Sequence, residues 1–199
     1  MTYSLISPRA LPAYVALLVM LAGNRASAQT DATSRREGPS AKVVVLPVAL
    51  YNAQANVQEA SDSSQAALST EVLFSKLREL LGSQLLDGKQ VALVAASPKA
   101  LATTGKQPCN VIVACARAVA DSLKAPWVVI AKVSKTSNLI WLFTGQLIHA
   151  PTGTIILDDS TELKGPPEGM VRAGSRIFAE RVARTVRHGG VTTNFPNTP

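Results

Sequence analysis

The sequence predicts an α/β (α+β) fold: a five-stranded mixed sheet with a C-terminal antiparallel meander and three helices, in the order β-α-β-α-β-β-β-α. Three observations carry this reading. Residues 42–50 (KVVVLPVAL) form a β-branched, almost wholly apolar run of the kind that makes a strand covered on both faces. Leu73, Leu77, Leu80 and Leu81 recur at three- and four-residue spacings, the period of a helix that buries one side. Three further apolar segments follow between Trp127 and Leu163, separated by short polar turns, and read as antiparallel hairpins.

Residues 1–28 come first and read as a leader. The opening nine residues carry Arg9, residues 10–22 are apolar, and Ala26-Ser27-Ala28 fits the small-x-small rule, so cleavage is expected between Ala28 and Gln29. The apolar run is shorter than the roughly 20 residues a membrane span needs, and no later segment reaches that length. Gln29 stands where a lipid-anchored protein would have Cys. The expected location is therefore the periplasm or the outside of the cell. Residues 29–41 are small and polar and read as a flexible lead-in, 42–187 as a single domain, and 188–199 as a disordered tail.

Within the domain, Pro47 lacks a backbone N–H, so the first strand must bend or lie near an edge there. Ser63 or Ser64 supplies a cap for a helix running to about Leu86, which Gly88 stops. Residues 90–96 read as a second strand, and Ser97-Pro98 as a cap followed by a helical turn. Asn110 caps a second long helix that ends near Leu123, before Pro126. Residues 127–134 and 139–150 make a hairpin across the turn Lys135-Thr136-Ser137-Asn138, and 154–163 add the fifth strand after Pro151-Thr152-Gly153. Gly165-Pro166-Pro167 closes the sheet, and a helix over 169–187 completes the domain.

Composition narrows the function. The 199 residues are 47% hydrophobic, ample for a core, and loss of Arg9 and Arg25 with the leader lowers the formal charge from +7 to +5. Export argues against nucleic acid as the partner for that charge; an acidic envelope protein or an anionic surface suits it better. Only two histidines exist, His149 and His188, without companion Cys or acid spacing, so no metal site is predicted. Asp158 and Asp159 are adjacent on a strand, point to opposite faces, and read as a solvated pair. Neither phosphate-loop nor nucleophile-elbow glycine patterns occur. Cys109 and Cys115 are the only cysteines; the oxidising compartment favours a structural bridge, and their spacing is not the C-x-x-C of thiol oxidoreductases.

Residues 115–140 (CARAVADSLKAPWVVIAKVSKTSNLI) resemble a family of secreted bacterial proteins of unassigned function, encoded near pyrroloquinoline-quinone methanol dehydrogenases of methylotrophs. That family's pattern has a Cys opening a helix, Ala-x-x-Leu-Gly-Ala before a strand, and Lys-Val-Ser-Asn-Leu-Ile at the following hairpin. Cys115, Ala120, Leu123, Ala125, Lys135, Ser137, Asn138, Leu139 and Ile140 fall on it, while Lys124 replaces the Gly and Thr136 the Val. The likeness extends more loosely over residues 43–187. The overall pattern is also similar to the amino-terminal domain of the Tol translocation protein TolB, an analogy of fold alone. The resemblance implies an envelope protein, an accessory to periplasmic alcohol oxidation, and no catalytic residue.

Two groups of residues are candidates for partner contact. Lys135, Ser137 and Asn138 form either ordinary hairpin chemistry or an exposed recognition tip. Arg172, Arg176 and Arg184 recur at multiples of four on the last helix, flanked by Arg181 and Arg187, opposite an apolar stripe of Phe178, Val182 and Val186. That face is either solvated or docks an acidic surface. Trp141 and Phe143, alternating with Leu142, read as core. The sequence thus predicts a non-catalytic accessory or binding protein without a cofactor, acting on a periplasmic or envelope protein. The alternative is a carrier of a small hydrophobic cofactor, and the third reading an enzyme of unassigned class.

Overall fold

A computed structural model describes residues 41–52, 60–105, 109–137 and 140–190. The predicted leader, most of the lead-in, Asn138, Leu139 and residues 191–199 lie outside the described residues.

The apolar run after Lys42 makes two short strands in line, β1 (Val43–Val45) and β2 (Ala49–Asn52). Both pair in parallel with β3 (Trp127–Ser137), Val43 opposite Trp127 and Ala49 opposite Lys132. β4 (Ile140–His149) is antiparallel to β3, and β5 (Thr154–Lys164) to β4, giving a five-stranded mixed sheet with β5 at its far edge. The interruption falls at Pro47, where the pairing shifts by one residue, from Val45 opposite Val129 to Ala49 opposite Lys132; proline is tolerated there because its position on the edge asks for no N–H toward β3. Leu46 N–H still donates to Val129 O at 3.1 Å, but Val48 N–H turns away to Thr70 Oγ1 at 2.9 Å. The Pro47 carbonyl accepts from Asn110 Nδ2 at 2.8 Å. The two backbone groups at the break thus find side-chain partners, while the Asn110 Oδ1 is left buried without one.

Strand alternation divides the core in two. Val43, Val45, Trp127, Val129, Val133, Trp141, Phe143 and Leu147 face α1 (Ala60–Leu81) and α5 (Pro167–Arg187). Val44, Leu46, Val128, Ile130 and Ile148 face α2 (Gly88–Ala95), α3 (Pro98–Leu101) and α4 (Val113–Ser122). The two long helices run side by side, joined by buried hydroxyls: Ser69 Oγ and Ser175 Oγ are 2.7 Å apart. Phe178 of α5 lies directly over Gly145 of β4, where a Cβ would come within 2.5 Å of its ring. Only glycine lets the helix sit this low, and Phe143 completes the contact with ring centroids 5.5 Å apart.

Five expectations need correction. Residues 90–96 are not a strand: 90–95 belong to α2 and Ala96 caps its end, because Asp87 starts a helix there, its carboxylate accepting from Lys89 N and Gln90 N at 3.1 and 3.2 Å. The sheet keeps five strands only because Pro47 splits the first in two, and the described residues hold five α-helices rather than three. The first long helix starts earlier and stops sooner than expected: Ser63 and Ser64 lie inside its first turns, and Gly82, at φ +56°, ends it in place of Gly88. Asn110 is not a helix cap; it sits in a 3-10 turn (Cys109–Val111), Ile112 precedes α4 without a side-chain cap, and its amide serves Pro47. Of the expected tail, His188 to Gly190 instead finish α5, with Gly190 N–H donating to Thr185 O at 2.9 Å. The Ser97-Pro98 helix start is as expected, Ser97 Oγ accepting from Ala100 N at 3.3 Å.

Lys124 explains the glycine of the resemblance. Its φ is +53°, the one positive value at a non-glycine residue among the described residues. Ala125 N–H donates to Ala120 O at 2.9 Å and Lys124 N–H to Asp121 O at 3.0 Å, the 6→1 and 5→2 bonds of a Schellman cap. Left-handed backbone costs a side-chain-bearing residue about 1–2 kcal/mol, against about 0.5–1 kcal/mol of extra unfolded-chain entropy for glycine. Lys124→Gly is therefore expected to raise stability by about 0.5–1 kcal/mol, read as a higher urea midpoint at unchanged slope; a lower midpoint would contradict the assignment.

Candidate functional site

Lys135 does not end a recognition tip. β3 continues through it to Ser137, and its side chain, 6% exposed, turns under the start of α1 to meet Asp62, 4% exposed. The ammonium lies 3.0 and 3.3 Å from the two carboxylate oxygens and 6.0 Å from the Trp141 ring centroid. Lys135 falls on the same face as Trp127, Val129 and Val133, so alternation along β3 delivers it to the core. The strand bulges between Lys135 and Ser137, and Thr136, exposed there, donates from Oγ1 to Ile140 O at 2.9 Å. Ser137 is half-buried.

The arginines of α5 are placed as their spacing requires. Arg172, Arg176, Arg181, Arg184 and Arg187 are all exposed, while Met170, Val171, Phe178, Ala179, Val182, Ala183 and Val186 are buried. Arg172 pairs with Glu168 at 2.9 Å, one turn earlier. Arg172 and Arg176 line a cleft of about 270 Å³ between α1 and α5, with Glu71, Lys76 and Glu79. Arg187 donates to Leu80 O on α1. Arg181 reaches Asp159 at 2.7 Å, which corrects the solvated-pair reading: Asp159 is buried and ion-paired on the helix-covered face, and only Asp158 is exposed. Ile177, 46% exposed, sits amid the arginines.

On the other face, Cys109 and Cys115 form a disulfide, with Cα atoms 5.2 Å apart. It ties the 3-10 turn carrying Asn110 to the first turns of α4, and its closed loop constrains the unfolded chain by about 2.4 kcal/mol on the chain-entropy model. Arg117 of α4 fastens the β4–β5 turn, donating from Nε to Ala150 O at 2.9 Å and from a terminal nitrogen to Pro151 O at 3.1 Å. A cleft of about 540 Å³ lies alongside, lined by Arg117, Asp121, Lys124 and Pro151. His149 bonds Thr152 Oγ1 at 2.9 Å and leans on Trp127, with ring centroids 5.1 Å apart. The described residues bring no three His, Cys, Asp or Glu side chains together as a metal site. None of their helices is long and apolar enough to cross a membrane.

The structure thus joins Arg172 to Arg176 and separates both from Lys135, whose partner on α1 lies 73 residues away and had no signal in the sequence. A family model described as a protein of unknown function (DUF2380) matches residues 41–181, from β1 to the arginine face of α5. The chain belongs to this family, DUF3280. No curated protein matches the chain. Among solved structures, the family member is similar to the C-terminal domain of LpoB from Salmonella enterica, at 17% identity over 65% of this chain and 87% of that one, with a TM-score of 0.44. PelC from Paraburkholderia phytofirmans is similar at 13% identity over 69% and 84%, with a TM-score of 0.43. TolB from Acinetobacter baumannii is similar at 10% identity over 75% of this chain and 29% of that one, with a TM-score of 0.42.

Burial makes the Lys135–Asp62 pair asymmetric to mutation. Removing one partner strands a buried charge, whereas replacing both leaves apolar packing. Lys135→Met is expected to lose about 3–5 kcal/mol in urea denaturation, and Lys135→Met with Asp62→Leu to recover most of it. A single variant as mild as a surface charge change would contradict a structural role.

Proposed function

We propose that this DUF3280 protein is a non-catalytic periplasmic accessory that docks an acidic envelope partner through the outward face of α5. The observation that carries the reading is that face itself: five exposed arginines around a half-exposed Ile177, on a helix whose opposite side is locked into the core by Phe178 and Val182. A docked helix presents its guanidinium groups at fixed spacing, so less side-chain order is lost on binding. Cationic arrays of this kind also steer acidic partners at long range. The leader-like opening and the disulfide support an oxidising, extracytoplasmic location. The sequence resemblance supports a narrower form of the same reading, an accessory to periplasmic alcohol oxidation.

Affinity capture from native periplasm tests it. The wild-type chain is expected to retain a specific acidic protein in low salt and release it as salt rises. Arg172→Glu, Arg176→Glu and Arg184→Glu together are expected to abolish capture, while Lys89→Glu with Lys99→Glu, on the opposite layer, leave it unchanged. A partner retained equally by all three proteins would overturn the α5 surface as the docking site.

A further inference from the structure

We propose that the chain self-associates edge to edge through β5, forming a twofold dimer with one continuous ten-stranded sheet. The two edges of the sheet differ sharply. One is made of β1 and β2, three and four residues long and interrupted at Pro47. The other is β5, eleven residues from Thr154 to Lys164, paired on one side only among the described residues and free of proline. Its ladder with β4 shifts once, between Leu157 and Ile155, and runs regularly from Leu157 to Lys164; that stretch offers a row of backbone donors and acceptors to another strand.

The charges on β5 select a second copy as the occupant. Register with β4 places Asp158 opposite Gln146, Glu162 opposite Leu142 and Lys164 opposite Ile140, so all three charged residues share the sheet face away from α5. They are exposed. An antiparallel pairing of two β5 strands centred on Thr161 sets Asp158 of each copy directly across from Lys164 of the other, and Glu162 across from Ser160. Two symmetric ion pairs result, as an isologous interface requires. Moving the axis one residue, to Ser160, sets Asp158 against Glu162 twice and is repulsive. On the helix-covered face, Arg181 already neutralises Asp159 at 2.7 Å, so that side of the edge adds no uncompensated acid. Among the registers that keep the same sheet face up and pair more than three residues of β5, the Thr161 axis is the one that sets opposite charges across from each other; an axis on Leu163 also pairs Glu162 with Lys164 but overlaps only residues 162–164.

Sedimentation equilibrium on the full chain, purified from the compartment where it accumulates, tests this. A monomer–dimer equilibrium is expected, weakening as salt rises. Lys164→Glu and Asp158→Lys should each weaken the dimer on the order of tenfold, because each turns two attractive pairs into two repulsive ones. The combined charge swap, Asp158→Lys with Lys164→Asp, should restore it to within about threefold. Circular dichroism melting checks that each variant is folded, which exposed positions favour. A monomer at every concentration overturns the proposal, as does a dimer indifferent to the single reversals or one the swap fails to restore.

Discussion

Pro47 places a gap in the parallel edge of the sheet, and the way its polar groups are satisfied ties the layers of the fold together. A proline donates nothing to a ladder, and the one-residue register shift around it takes its carbonyl and the next N–H away from β3. Here the Val48 N–H goes to Thr70 on α1 and the Pro47 carbonyl to Asn110, on the opposite side of the sheet. The first bond draws in α1, which is joined to α5 through Ser69 and Ser175. The second draws in the 3-10 turn that the Cys109–Cys115 bridge fastens to α4. The Val48 N–H is itself buried, so losing Thr70 would cost up to about 1–3 kcal/mol, whereas the Asn110 bond lies at the surface, where water can replace it, and holds its turn more weakly.

The antiparallel half of the sheet obeys a separate constraint. β4 carries Gly145 where Phe178 descends, which sets how closely α5 lies on the sheet. With its apolar stripe fixed there, the same helix turns its arginines outward, and the spacing that buries Phe178 and Val182 is the spacing that aligns Arg172, Arg176 and Arg184. Core packing and the proposed docking face are two sides of one helical repeat. β5, beneath it, is held by Arg181 on one face and leaves its acids and Lys164 on the other.

What the sequence showed follows the range of the interactions involved. The apolar runs, the bend at Pro47, the Ser97-Pro98 cap and the paired cysteines are local signals, and each was legible. Residues 90–96 misled because six small and apolar residues suit a strand or a buried helix equally; Asp87, just outside the run, held the deciding signal. Asn110 has the chemistry of a cap but is claimed by a carbonyl 63 residues away. Lys135 stands where the hairpin seemed to turn, yet the strand runs on and alternation sends its ammonium inward to Asp62. Long-range partners such as these leave no trace in local pattern. The α5 arginines were visible because helical spacing is itself local.

The most direct test is hydrogen exchange of the native chain with the Cys109–Cys115 bridge intact and after its reduction. If the bridge holds Asn110 against the break, reduction should speed exchange at Val48 and along Ala49–Asn52 while β4 and β5 keep their protection. Unchanged protection at Val48 and β2 would contradict the account and leave the disulfide a local staple of the α4 turn.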